Sequence, residues 1–148
     1  MQKVYGTTHL DLYTLDVSTE IELPLVSDSI PAGIPAPVDN FIEDTLDLNK
    51  QLILHPSATF LAKAKGTSMQ DAGIYEGDIM IVDKAVEPGN NCIAVCTIDS
   101  EFTVKRINKI GEKLFLMPAN KAFKPIEISE YANFIIWGIV TYVIHKPK

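Results

Sequence analysis

The chain has 148 residues, 47% of them apolar and 22% charged, and its 13 basic and 19 acidic side chains leave a net charge of -6. That length suits one domain and leaves little room for a second, while the apolar share excludes wholesale disorder. The acidic balance excludes a module that works chiefly by neutralising phosphates, so no direct sequence-specific DNA binding is expected.

From Met1 to Pro37 the chain holds five acids, Asp11, Asp16, Glu20, Glu22 and Asp28, against the single base Lys3. It closes on a stretch where Pro31, Gly33, Pro35 and Pro37 remove backbone donors and break regular structure. Residues 1–37 are therefore expected to form an extended N-terminal arm, and residues 38–148 a β-rich domain. The arm is too short for the three packed helices of a helix-turn-helix domain.

Asp39 and Asn40 suit the start of a short helix carrying Phe41, Ile42 and Leu46 and ending near Asp47. Leu48 to Leu54 reads as irregular or briefly helical. Strands are then expected at Ala58 to Lys65, Ile79 to Val82, Cys92 to Ile98, Phe102 to Ile107 and Leu114 to Met117. Phe134 to His145 supplies one or two long final strands around Gly138. Asp99-Ser100 makes a tight two-residue connection. Short strands at close spacing without long helices argue for a mainly β, coiled or closed antiparallel fold.

The strongly apolar stretch Phe134 to Ile144 is about half the roughly 20 residues that a membrane-crossing helix needs, and no basic-then-apolar signal opens the chain. A cytoplasmic protein without a membrane partner is expected. Cys92 and Cys96 lie on one face of a strand, about 13 Å apart, too far for a disulfide. His9, His55 and His145 are scattered singly rather than at ligand spacing. Reduced structural cysteines, no metal and no cofactor are the expectation.

Two residues carry candidate chemistry. Ser68 sits in the tight turn Gly66-Thr67-Ser68-Met69, and Lys105 lies in the apolar strand Phe102-Thr103-Val104-Lys105-Arg106-Ile107. An apolar setting favours the neutral amine that a general base needs, and a hydroxyl beside it becomes a nucleophile. A turn serine and a lysine that snorkels to water are the bland alternative.

At these same positions the sequence resembles the UmuD-type proteins of the SOS mutagenesis response and, more distantly, the C-terminal domains of LexA-type repressors. The resemblance runs from about Ala32 to Lys146. It is carried by Ala32-Gly33-Ile34-Pro35-Ala36-Pro37, Asp47-Leu48-Asn49, His55-Pro56-Ser57-Ala58-Thr59-Phe60 and Gly66-Thr67-Ser68-Met69. Gly73-Ile74, Gly77-Asp78, Ile81-Val82-Asp83, Glu101-Phe102-Thr103-Val104-Lys105-Arg106 and Gly138-Ile139-Val140 follow in the same order. Ser100 departs from the pattern, standing where a hairpin glycine is usual.

The resemblance implies a Ser-Lys self-cleaving protein. Ser68 would be the nucleophile, Lys105 the general base, and Ala32-Gly33 the bond that is cut, with the backbone N–H of Ser68 and of a neighbouring turn residue holding the oxyanion. It further implies cleavage prompted by a RecA filament on single-stranded DNA. The cut protein would be a homodimer serving as accessory subunit of a UmuC-type (Y-family) translesion DNA polymerase. Residues 1–32 carry four of the six net negative charges, so their removal would relieve repulsion from DNA. The alternatives are a non-cleaving dimerisation or regulatory module and a repressor-derived domain of the same fold; a signal peptidase would need a membrane anchor.

Overall fold

A computed structural model describes residues 2–6, 10–26, 42–118, 124–130 and 133–148. The expected scissile pair Ala32-Gly33 and the expected helix-capping residues Asp39 and Asn40 lie outside them. The chain divides into two compact units, Asp16–Leu54 on the one hand and Met1–Leu15 with His55–Lys148 on the other.

The larger unit is built from strands β1 (Gln2–Gly6), β2 (Leu10–Thr14) and, in the smaller unit's wake along the chain, β5 (Thr59–Ala64) and β6 (Ile79–Asp83). After these come β7 (Cys92–Ile98), β8 (Glu101–Ile110), β9 (Lys113–Met117), β10 (Ile126–Glu127) and β11 (Phe134–Ile144). The smaller unit holds β3 (Glu22–Val26), β4 (Ile42–Asp47) and the helix α1 (Leu48–Leu52). Nine strands form one antiparallel sheet in the order β1-β2-β5-β6-β11-β7-β8-β9-β10, and β3 and β4 make a separate pair. The fold is mainly β, as expected, and among the described residues the sheet is open rather than closed, with β1 and β10 at its edges. No helix among the described residues is long and apolar enough to cross a membrane.

Period-2 alternation places the core on both faces of the central strands. Val95 of β7 stands opposite Val104 of β8, and both join a cluster with Leu10, Leu12, Ala62, Met80 and Val82. Their neighbours Ala94, Cys96 and Ile107 turn the other way and meet Leu116 and Ile139. The last strand is a single one that changes partners. Phe134 to Ile139 pair with β7 and Ile139 to Ile144 with β6, with register shifts between Ile136 and Gly138 and between Val140 and Tyr142. A Cβ on Gly138 would lie 2.7 Å from Val82 Cγ1, so only glycine lets β6 approach at this shift.

The Asp99-Ser100 connection has both residues at positive φ, 49° and 68°, the left-handed pair of a primed hairpin turn that matches strand twist without a glycine. Asp99 is tied down besides: its amide donates to Asn133 O at 3.1 Å, and Asn133 Nδ2 donates to its carboxylate at 3.2 Å.

Two expectations change. Ile42 to Asp47 is strand β4, not helix, because Leu46 and Thr45 find strand partners in Leu23 and Pro24. The helix begins one residue later, where the Asp47 carboxylate accepts from Asn49 N at 3.0 Å and caps it. Proline is accommodated at position 24 because β3 lies in a two-stranded pair, where one side of every strand is an edge. Within the N-terminal segment, β1 and β2 belong to the main sheet, and Leu10 and Leu12 are buried in its core.

Candidate active site

Ser68 is held by the loop that leaves β5. Gly66 turns the chain at a φ of +81°, which side chains with a Cβ rarely adopt. Beyond it the loop closes on itself: Gln70 N donates to Thr67 O at 3.3 Å and Ile74 N to Met69 O at 3.1 Å. Ile74 is buried and Met69 packs against the core, so the loop is anchored on both sides of the short 3-10 turn Gln70–Ala72. Ser68 itself is exposed. Among the described residues the amides of Ser68 and Met69 donate to no backbone acceptor, which leaves two N–H groups at the serine.

The loop's base is equally fixed. Ala64 N donates to Asp78 O at 2.8 Å and Gly77 N to Ala64 O at 2.9 Å, while the buried Asp78 carboxylate accepts from Tyr75 N at 2.9 Å.

Lys105 comes from the middle of β8, directly opposite Ala94. It is half-buried and shares its face with Ile107 and Cys96, on the side of the second core cluster. The thiol of Cys96 is pushed up to about 12, first by burial and second by Cys92, with the Lys105 charge acting weakly in the opposite sense. Cys96 is thus a protonated core residue, and both cysteines are free, as expected.

Ser68 and Lys105, distant in sequence, line one open groove of about 640 Å³ together with Asp71, Asn91, Arg106 and Met117. Sequence reasoning did not single out Asn91 or Arg106. Arg106 Nη1 donates to Asn91 Oδ1 at 2.7 Å, and Asn91 N donates to Asn108 Oδ1, which stiffens the rim where Asn91 takes a φ of 54°. The available signal was adjacency to Lys105; the link to Asn91 needed the β7–β8 pairing. Met117 reaches the groove because it stands opposite Arg106 across β8 and β9.

Two of the scattered histidines have partners that sequence spacing did not reveal. His55 Nδ1 lies 2.6 Å from Asp83 Oδ2, and His145 Nδ1 lies 2.6 Å from Asp78 Oδ1. Both aspartates are buried, at the two ends of β6, and neither pair lines the groove. These are structural ties.

Residues 24–141 match the Peptidase S24-like family. The chain is 40% identical to Protein SamA of Salmonella typhimurium over 125 residues, covering 84% of this chain and 86% of that one. It is 39% identical to Protein ImpA of Escherichia coli over 131 residues, 84% of this chain and 85% of the relative. With Protein MucA of Escherichia coli the identity is 36% over 127 residues, 84% and 86% of the two chains. With most of its length matched and such identities over most of each relative, the chain belongs to the Peptidase S24-like family, among the UmuD-type proteins that its motifs resemble.

Proposed function

We propose that this chain is an SOS-response mutagenesis protein that cuts its own Ala32-Gly33 bond with a Ser-Lys dyad. The observation that carries the reading is the shared groove: a turn serine and a half-buried strand lysine, far apart in sequence, border the same open space. Ser68 Oγ attacks the Ala32 carbonyl carbon while its proton passes to the neutral Lys105 amine. The amides of Ser68 and Met69 supply N–H groups for the oxyanion that develops. Collapse breaks the C–N bond, and the Gly33 amine leaves with the proton that Lys105 returns. A water molecule then attacks the ester on Ser68 as it gives one proton to Lys105; Lys105 passes that proton to the leaving Ser68 Oγ, and Ala32 departs as a carboxylic acid that ionises in water.

The family resemblance extends the reading to partners. A RecA filament on single-stranded DNA stimulates the cut, and the cut homodimer serves a UmuC-type Y-family translesion polymerase in the cytoplasm. Exposed apolar side chains on β11, among them Ile135 at 63% and Ile144 at 47% exposure, support a symmetric dimer. Incubation at alkaline pH followed by mass spectrometry tests the chemistry. A fragment beginning at Gly33 is expected from the parent and none from Ser68→Ala; an intact parent at every pH, or cutting elsewhere, overturns the reading.

A further inference from the structure

We propose that the two products of the cut stay together, with residues 1–32 seated in the sheet through β2, so that the cleaved protein is a two-chain assembly. This deepens the reading above and rests on it for the place of the cut.

The bond Ala32-Gly33 lies, in sequence, between β2 and β5. Hydrolysis there severs the connection between two strands and leaves both strands whole. β2 is an interior strand, bonded to β1 on one side and β5 on the other. Its pairing with β5 is regular, Leu10 opposite Ala64, Asp11 opposite Lys63, Leu12 opposite Ala62 and Tyr13 opposite Leu61. Leu10 and Leu12 are 0% and 3% exposed, in one cluster with Ala62, Ile74, Met80 and Val82. Between the two leucines, Asp11 Oδ1 receives Lys3 Nζ at 3.1 Å and Lys65 Nζ at 2.9 Å, so one carboxylate clips β1, β2 and the end of β5.

Departure of the fragment would bare two leucine sites in the core and the hydrogen-bonding edge of β5, a strand otherwise interior to the sheet. Retention avoids both. What the cut changes is molecularity. Before it, the connecting residues hold β2 beside β5 at an effective concentration of the order of millimolar. Afterwards the fragment is held only by its own contacts and becomes exchangeable, by dilution or by a competing strand of similar apolar-acidic-apolar pattern. The four net negative charges of residues 1–32 then remain on the molecule until exchange occurs.

The test is native mass spectrometry and gel filtration of the full chain after it has cut itself to completion and been returned to neutral pH at micromolar concentration. A native mass equal to the whole chain plus one water, resolving into two pieces only in denaturant, is expected. A native mass of residues 33–148 alone overturns the proposal. Asp11→Asn should raise the released fraction about threefold by removing the ion pairs, and Leu12→Ala about thirtyfold or more by emptying a core site. Release unchanged in both variants would remove β2 as the anchor. A parent that never cuts itself sinks the self-cleavage reading alone. A variant with a specific protease site in place of residues 30–34 then carries the same mass measurement, with the same two outcomes for retention.

Discussion

The carboxylate of Asp11, on the second strand, holds the ammonium of Lys65 at 2.9 Å, immediately before the Gly66 turn that presents Ser68. An N-terminal strand thus fastens the base of the loop that carries Ser68. The Lys65 hydrogen bond first, and that of Lys3 second, hold the Asp11 carboxyl below its ordinary value of 3.8. Between the lowered value and 3.8 the unfolded chain binds more protons at this group, so stability rises with pH there and is lost as pH falls through it. Urea midpoints measured from pH 5 downward should show this loss in the parent and a shallower one in Asp11→Asn. Parallel profiles would mean that the ion pairs contribute nothing to acid stability.

The proposed Ser68-Lys105 dyad makes a sharper demand. Ser68→Ala, Lys105→Ala and Lys105→Arg should each lower the self-cleavage rate by about a thousandfold or more. Arginine keeps the charge but cannot take the serine proton. The parental rate should rise with pH, because only the neutral amine abstracts a proton. Ser68→Cys is expected to keep part of the activity, its thiol ionising more readily than a hydroxyl. A Lys105→Arg protein that cuts itself at the parental rate would show that position 105 supplies charge, not proton transfer.

Gly138→Ala should destabilise the fold by about 1–3 kcal/mol, since the new methyl would meet the fully buried Val82 at 2.7 Å. Adding Val82→Ala should recover part of this, and a double-mutant cycle of thermal midpoints measures the coupling. Strict additivity would locate the cost elsewhere.

Cys96 predicts alkaline behaviour. With its thiol raised from 9.0 to about 12, the folded state keeps a proton that the unfolded chain releases. Stability from this group is complete below pH 9 and falls as pH rises toward 12. Cys96→Ala should flatten the decline between those limits, and a thiol reagent at neutral pH should reach the half-buried Cys92 before the buried Cys96. Equal labelling rates in the folded protein would contradict the burial.

The proposed homodimer is open to sedimentation equilibrium at micromolar concentration, where a monomer–dimer equilibrium shifted by Ile135→Lys is expected. A monomer at every concentration tested removes the dimer from the reading.

Local signals were enough for much of this molecule. The alternating and β-branched runs from Thr59 to Met117 announce their strands, and Asp99-Ser100 announces its hairpin, because strand pattern and turn chemistry are properties of neighbouring residues. Ser68 in its turn and Lys105 in its strand were also legible, through motifs that hold them in a fixed order. Other features depend on partners distant in the chain. Ile42 to Asp47 had helix-compatible spacing, and the pairing of Leu46 with Leu23 decided for strand. Leu10 and Leu12 sit in an acid-rich, proline-bearing segment that reads as solvated, yet the open side of β5 gives them a core to enter. Likewise the pairing of Asp83 with His55 and of Asp78 with His145, and the groove that joins Ser68 to Lys105 and Arg106, exist only once the strands are in register. Hydrogen bonding between strands carries no sequence code beyond shape and polarity, so which strands meet is settled by the burial of the whole sheet.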